Sequence, residues 1–132
     1  MQIRWAIPCR FAEVREGVGN FLGTGWDTVR VEDLPRQITF SVAINATVPE
    51  HELGLEEEIS VEILDPAMEA SDGGRIAVRL DDYPQRPPGR QPSFQVVVGV
   101  ALEAAAYGQY SVNLTLQDRV TTVPIFVVDP TA

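Results

Sequence analysis

The chain has 132 residues, 45% of them hydrophobic and 22% charged, which is the composition of a folded domain and excludes a disordered or fibrous chain. Its net charge of −9 disfavours nucleic acid and anionic membranes as partners, because both are negatively charged. All the basic residues are arginines, which excludes a catalytic lysine Schiff base and the lysine of a P-loop. We expect one domain over residues 1–132.

The cellular location is predicted from what the sequence lacks. No stretch approaches the roughly 18 apolar residues of a membrane-spanning helix. The first residues also lack the basic and apolar regions of a secretory signal. Cys9 is the only cysteine, which fits a reducing compartment. We therefore expect a cytoplasmic protein.

The first strand is predicted over residues 3–7 and 11–14, with an interruption at Pro8. The glycine-rich segment GVGNFLGTGW follows at residues 17–26 and is the stretch most similar to a nucleotide-binding loop. A dinucleotide fingerprint requires a helix directly after the glycines, but residues 24–31 alternate as a strand does. The sequence therefore predicts a structural corner rather than a phosphate site.

Each glycine in this corner has a predicted role. We expect Gly17 and Gly19 to turn the chain with positive φ. We expect Gly23 and Gly25 to allow a bulge that redirects the chain. Trp26 then anchors the next strand to the core.

Three later segments, residues 37–47, 58–64 and 110–116, alternate apolar and polar side chains with the period of a half-buried strand. Residues 94–102 are apolar almost throughout, which indicates a central strand or a strand at a subunit contact, with the central strand favoured. Residues 121–128 are β-branched and apolar but contain Pro124, which predicts an edge strand or a bulge.

Many short strands separated by glycine and proline turns predict an all-β fold, an antiparallel immunoglobulin-like sandwich of seven to eight strands. Helix is limited to one or two short turns, within residues 49–58 and 102–107. Tyr110 begins the final hairpin, where a tyrosine-corner residue bonds back to the preceding connection.

Residues 81–93 read DDYPQRPPGRQPS and predict a long, stiff surface loop. The loop brings together Tyr83, Arg86 and Arg90 on an otherwise acidic molecule. Because arginine and tyrosine are enriched at interface hot spots, these three residues are the candidate interaction site.

The sequence contains no convincing catalytic or metal-binding set. The only histidine, His51, would have to pair with Cys9 to form a nucleophilic dyad, and a lone cysteine on an apolar strand is more often a core residue. The acidic stretch around His51 lacks metal-ligand spacing and favours a solvated connection; its members are His51, Glu52, Glu56, Glu57 and Glu58. We expect no enzyme activity, no cofactor and no metal.

The chain resembles a family of small uncharacterised bacterial domains, of a type common in actinobacteria. The resemblance is carried by Cys9, Ala12, Gly17, the segment at residues 21–26 (FLGTGW), Pro35 and the closing G-x-Y hairpin. Members typically begin with a cysteine-bearing strand and an L-x-G-x-G turn. The resemblance covers most of the chain and implies a β-sandwich, but it implies no activity.

The leading hypothesis is a non-enzymatic interaction or structural module with an unidentified protein partner. The alternatives are a homo-oligomeric assembly component, associating through strand edges or through residues 96–100, and a ligand-binding or metal-binding protein or hydrolase that uses carboxylates.

Overall fold

A computed structural model describes residues 1–15, 18–79, 89 and 91–131. Within these residues the chain forms ten strands and a 3-10 helix at Glu50–Glu52. None of the helices found there is long and apolar enough to cross a membrane. The strands are β1 Gln2–Cys9, β2 Phe11–Arg15, β3 Val18–Leu22, β4 Thr28–Arg30, β5 Arg36–Thr47, β6 Glu56–Leu64, β7 Ala70–Arg79, β8 Ser93–Ala104, β9 Gly108–Leu116 and β10 Arg119–Val128.

Eight strands form two sheets, in the orders β1-β5-β8 and β4-β10-β9-β6-β7. All pairings are antiparallel except that of β4 with β10. The all-β sandwich is thus confirmed. Strands β1, β5 and β8 occupy the places of A, B and E in an immunoglobulin domain, and β6, β9 and β10 those of C, F and G. The remaining strands, β2 and β3, form a separate hairpin.

The core lies between the two sheets and is built by alternation along each strand. Every second residue of β9, from Tyr110 to Leu116, is buried, while the residues between them are half-buried. The same alternation buries Ile59, Val61 and Ile63 on β6. One contiguous cluster therefore joins the inner faces of both sheets.

Strand β8 departs from the prediction of a central strand. Among the described residues it pairs with β5 alone, at the end of the three-stranded sheet. Its even-numbered residues from Phe94 to Ala104 point into the core, and Val97 on the opposite face is half-buried. The β2–β3 hairpin contacts β8 through β2, so part of the opposite face is covered as well. Residues 102–104 also belong to β8 rather than to a helical turn.

Strand β10 is an edge strand for only part of its length. Pro124 pairs with Ser111 of β9, and the other side of β10 is contacted by β4 only from Phe126 to Val128. Pro124 therefore lies in the part of β10 that pairs with β9 only. Proline has no N–H to donate to a second neighbouring strand, so it is tolerated at this position.

The β2–β3 hairpin forms a small third layer over the outer face of β5 and β8. Gly19 lies inside β3 without a positive φ, so the predicted turn at this residue is wrong. A Cβ on Gly19 would overlap the Phe21 ring of the same strand and would lie 2.5 Å from Oε1 of Gln95 on β8. Glycine leaves room here for the Phe21 ring and does not form a turn.

Tyr110 is buried at the start of β9 and its hydroxyl bonds back to the β8–β9 connection. The hydroxyl donates to the Ala106 carbonyl over 2.9 Å and accepts from the Ala106 N–H over 3.3 Å. One phenol therefore satisfies both backbone groups of Ala106 and fixes the connection at the end of the sandwich.

We expect Tyr110→Phe to lower the free energy of unfolding by about 1–2 kcal/mol, because a buried phenol loses two hydrogen bonds to the backbone of Ala106. Urea unfolding measures the change. Tyr107→Phe is the control: its hydroxyl makes one donated bond, to the Val31 carbonyl over 2.8 Å, and the residue is 38% exposed against 2% for Tyr110, so we expect a smaller loss. Equal losses in both variants would contradict the role given to Tyr110.

The α-amino group of Met1 is paired with Glu52 of the 3-10 helix, at 2.6 Å from Oε2. Gln117 donates to Oε1 of the same carboxylate over 3.3 Å. The hydrogen bond from the α-amino group holds the pKa of Glu52 below its usual range, with a smaller contribution from Gln117 and against the opposing effect of burial. The pair joins the start of the chain to the β5–β6 connection.

A lowered carboxyl pKa means that this stabilisation is complete above the pKa of an unfolded glutamate, about 4.3. It is lost as the pH falls through the lower pKa of the folded state. We therefore expect Glu52→Gln to be less stable than the parent at neutral pH, with the difference shrinking toward acid pH in thermal unfolding. The control, Glu56→Gln, removes an exposed charge. A difference that grows on acidification would contradict the pairing.

Candidate functional site

A surface groove of about 620 Å³ lies between β4 and the first part of β5, within the size range of ligand sites. We call it the Arg–Trp groove; its lining residues are Arg10, Trp26, Thr28, Val29, Arg30, Ile38, Thr39 and Phe40. Two further pockets near Met1 and Arg119 measure about 200 and 160 Å³.

The groove exists because the chain leaves one sheet and enters the other at this point. Strand β1 pairs with residues 41–47 of β5 and ends at Cys9, so it does not cover residues 36–40. The chain then forms the β2–β3 hairpin and returns as β4, which pairs with β10 of the opposite sheet. Two incompletely paired strands thus flank one opening.

Gly23 and Trp26 shape the corner of the groove. Gly23 has a φ of 67°, and a Cβ there would lie 3.0 to 3.1 Å from the side-chain carbons of Arg10, so the stem of Arg10 crosses this residue. The indole N–H of Trp26 donates to the Gly23 carbonyl. The ring of Trp26 meets Phe40 edge to face, with centroids 5.4 Å apart. Gly23 therefore positions both Arg10 and Trp26.

The charge of the groove is opposite to that of the protein. Arg10 and Arg30 are exposed, and none of the described lining residues is acidic. Within the described residues neither arginine has a carboxylate within 4.0 Å, whereas Arg15 and Arg75 pair with Glu13 and Glu58. Asp27 precedes β4 but is not among the lining residues, and its carboxylate accepts the Thr28 hydroxyl over 2.8 Å. Two guanidinium groups are thus available to an anionic ligand.

We expect Gly23→Ala and Gly25→Ala each to lower the free energy of unfolding by about 1–2 kcal/mol, because both glycines have a positive φ that an alanine adopts only with strain. Only Gly23→Ala also presses on Arg10, since a Cβ on Gly25 meets nothing within 4 Å. Urea unfolding measures the shared loss. A change in the Trp26 indole N–H chemical shift in Gly23→Ala, much smaller in Gly25→Ala, tests the specific contact; identical shifts would contradict it.

The interaction residues predicted from sequence, Tyr83, Arg86 and Arg90, lie outside the described residues, as does Gly17. The structure places Gly25, with a φ of 85°, beside the Arg–Trp groove.

The residues considered for catalysis are not brought together. Cys9 is fully buried and its thiol donates to the Ser41 carbonyl over 3.4 Å, while His51 is exposed on the 3-10 helix. Burial raises the pKa of the Cys9 thiol, which disfavours the nucleophilic thiolate. Among the described residues no three His, Cys, Asp or Glu side chains are grouped to hold a metal ion.

Sequence reasoning did not identify Arg10 and Arg30 as site residues. They are 20 positions apart and lie on either side of the glycine-rich segment. One feature of the sequence could have indicated them: the glycine-rich segment ends in a tryptophan and has an arginine on each side, in a chain with a net charge of −9. The missing information was the return of the chain through the β2–β3 hairpin, which brings both arginines to one opening.

Comparison with known proteins gives one family match. The model of a family described as "Family of unknown function (DUF6941)" matches residues 4–128, which is nearly the whole chain. No curated protein matches the chain.

Proposed function

The chain belongs to the family of unknown function DUF6941, and we propose a role for it from its structure. The protein is a non-enzymatic interaction module that binds a partner protein through the Arg–Trp groove. The observation that carries the proposal is the pair of arginines in the lining with Trp26, neither of which has an acidic partner among the described residues. Arginine and tryptophan are the residue types most enriched at binding hot spots.

The groove has the other features of a contact surface. Ile38 and Phe40 contribute apolar surface to the lining, and Thr28 and Thr39 contribute hydroxyl groups. Trp26 is held by its hydrogen bond to Gly23 and by its contact with Phe40, so little side-chain entropy is lost when a partner covers it. A fixed aromatic ring in the same lining as two exposed cations suits a partner that combines apolar and anionic groups.

The partner is proposed to be a protein rather than a nucleic acid or a membrane. A nucleic acid or an anionic membrane presents many negative charges over a wide surface, so a protein of net charge −9 repels it everywhere except at the two positions that Arg10 and Arg30 contact. We also propose a cytoplasmic location in a bacterium of actinobacterial type, supported by the single reduced cysteine and the absence of lysine. Fractionation of cells expressing the protein tests the location.

Selection from a random peptide library tests the proposed function. We expect the parent protein to enrich a defined set of peptides, and Arg10→Gln/Arg30→Gln to enrich none of them. The matched control, Arg4→Gln/Arg75→Gln, removes the same charge from exposed positions outside the groove lining and is expected to enrich the parental set. Enrichment of the same peptides by the groove variant would show that the groove is not the contact surface.

Self-association is a second candidate function, favoured by the exposed face of the β2–β3 hairpin. Phe11 and Leu22 are partners in register and are 50% and 65% exposed. Residues 96–100 do not offer the apolar surface considered from sequence, because Val96, Val98 and Val100 are buried in the core. Sedimentation at increasing concentration tests this candidate: a monomer throughout would reject it, and Phe11→Ser/Leu22→Ser is expected to abolish any oligomer.

A further inference from the structure

We propose that the Arg–Trp groove takes up an extended, acidic peptide segment of a partner protein, which adds as a strand to the open edge of β4. The inference rests on the proposed function and specifies the chemical class and conformation of the partner. It is carried by the backbone pattern of β4, by the lining of the groove and by its charge.

The backbone of β4 faces β10 at odd-numbered residues. The Asp27 carbonyl accepts from the Phe126 N–H over 2.7 Å, and the Val31 N–H donates to the Val128 carbonyl over 3.0 Å. Because successive residues of a strand point their backbone groups to opposite sides, the N–H and C=O groups of Thr28 and Arg30 face away from β10. No described strand pairs on that side, and both residues are exposed.

These groups form a short edge that is open to pairing. An extended peptide along it exchanges hydrogen bonds with Thr28 and Arg30, the mode by which sheets capture strands. Its side chains alternate in direction. One set meets the apolar lining residues Ile38, Phe40 and Trp26. An exposed strand edge beside apolar surface favours an extended chain over a helix.

Charge complementarity selects the side chains of the peptide. Arg10 and Arg30 line the same groove without acidic partners among the described residues, so carboxylates on the peptide find two guanidinium groups. A second copy of this chain fits less well, because two molecules of net charge −9 repel one another before contact. The occupant is therefore an acidic segment of a different protein.

Defined peptides test the inference in a Trp5→Phe chain, in which Trp26 is the single tryptophan and reports occupancy by fluorescence. The probe is a short capped peptide of alternating glutamate and valine. A glutamine analogue removes its charge. Two further analogues carry N-methyl groups on alternate backbone amides, in the two possible registers, and so keep every side chain while blocking one edge of the strand.

We expect saturable binding of the glutamate peptide, with about tenfold or greater loss for the glutamine analogue, equivalent to about 1.4 kcal/mol. We expect a similar loss for one methylated register only, and slowed amide exchange at Thr28 and Arg30 in the complex. Equal binding of the parent and both methylated peptides would overturn strand addition but leave a groove-dependent library selection intact. No binding of any of these peptides, or a Trp26 signal that changes with protein concentration alone, would also overturn the inference.

Discussion

Replacement of Leu114 by alanine is expected to lower the free energy of unfolding by about 3 kcal/mol, through lost burial and the cavity left behind. Leu114 is fully buried at the middle of β9, which lies between β10 and β6 in the five-stranded sheet. Its register partners are Thr121 on β10 and Val61 on β6. Because well-formed strands flank it on both sides, the site has little freedom to collapse. Urea unfolding monitored by circular dichroism measures the loss.

Thr115→Ala is the matched control, since Thr115 is the next residue along β9 and its side chain lies on the half-buried outer face. We expect a loss well below that of Leu114→Ala. If Thr115→Ala proved as destabilising, the inner and outer faces of β9 would be reversed and the sandwich as described would be incorrect.

Reversing both charges of the groove, with Arg10→Glu/Arg30→Glu, is expected to weaken binding of the library-selected acidic peptides about 100-fold or more, equivalent to about 2.7 kcal/mol. The two side chains that attract the carboxylates of the peptide are replaced by side chains that repel them, while no described ion pair is broken. Stability is expected to change little, because exposed charges without partners contribute little to folding. Calorimetric titration measures the affinity and urea unfolding measures the stability.

The control for charge reversal is Arg4→Glu/Arg75→Glu, which makes the same change in net charge outside the groove lining. We expect this variant to lose only the part of the affinity that comes from long-range repulsion, and to recover it at high salt. Comparable losses in both double variants at all salt concentrations would mean that net charge, rather than the groove, determines binding.

Much of the fold could be predicted from the sequence, because alternation along a strand is a local property. The buried and exposed positions of β6 and β9 follow from their period of two, whereas residues 42–46 of β5 are all buried, so the predicted polar outer face, which included Asn45, is wrong there. The prediction failed for β8, where a local apolar run was interpreted as burial between neighbouring strands. The additional cover comes from the β2–β3 hairpin, whose position depends on contacts distant in sequence.

The candidate site was harder to predict for the same reason. Gly23 and Gly25 were assigned to a corner, and both have the positive φ that such a corner uses. That Gly23 also lies against Arg10, and that Trp26 and Arg30 line the same groove, depends on how the chain passes from one sheet to the other. The sequence shows which residue types are present, but it does not show how the chain passes between the two sheets and brings these residues together.

The most direct test of the account is a two-dimensional ¹⁵N–¹H spectrum recorded while a library-selected peptide is added, because the chain has two indole N–H signals. Trp26 lines the Arg–Trp groove, whereas Trp5 packs edge to face on Phe21 of the hairpin. The account predicts that the Trp26 signal moves with saturation while the Trp5 signal stays in place. Movement of Trp5 with a stationary Trp26, or no movement of either during saturable binding, would contradict it.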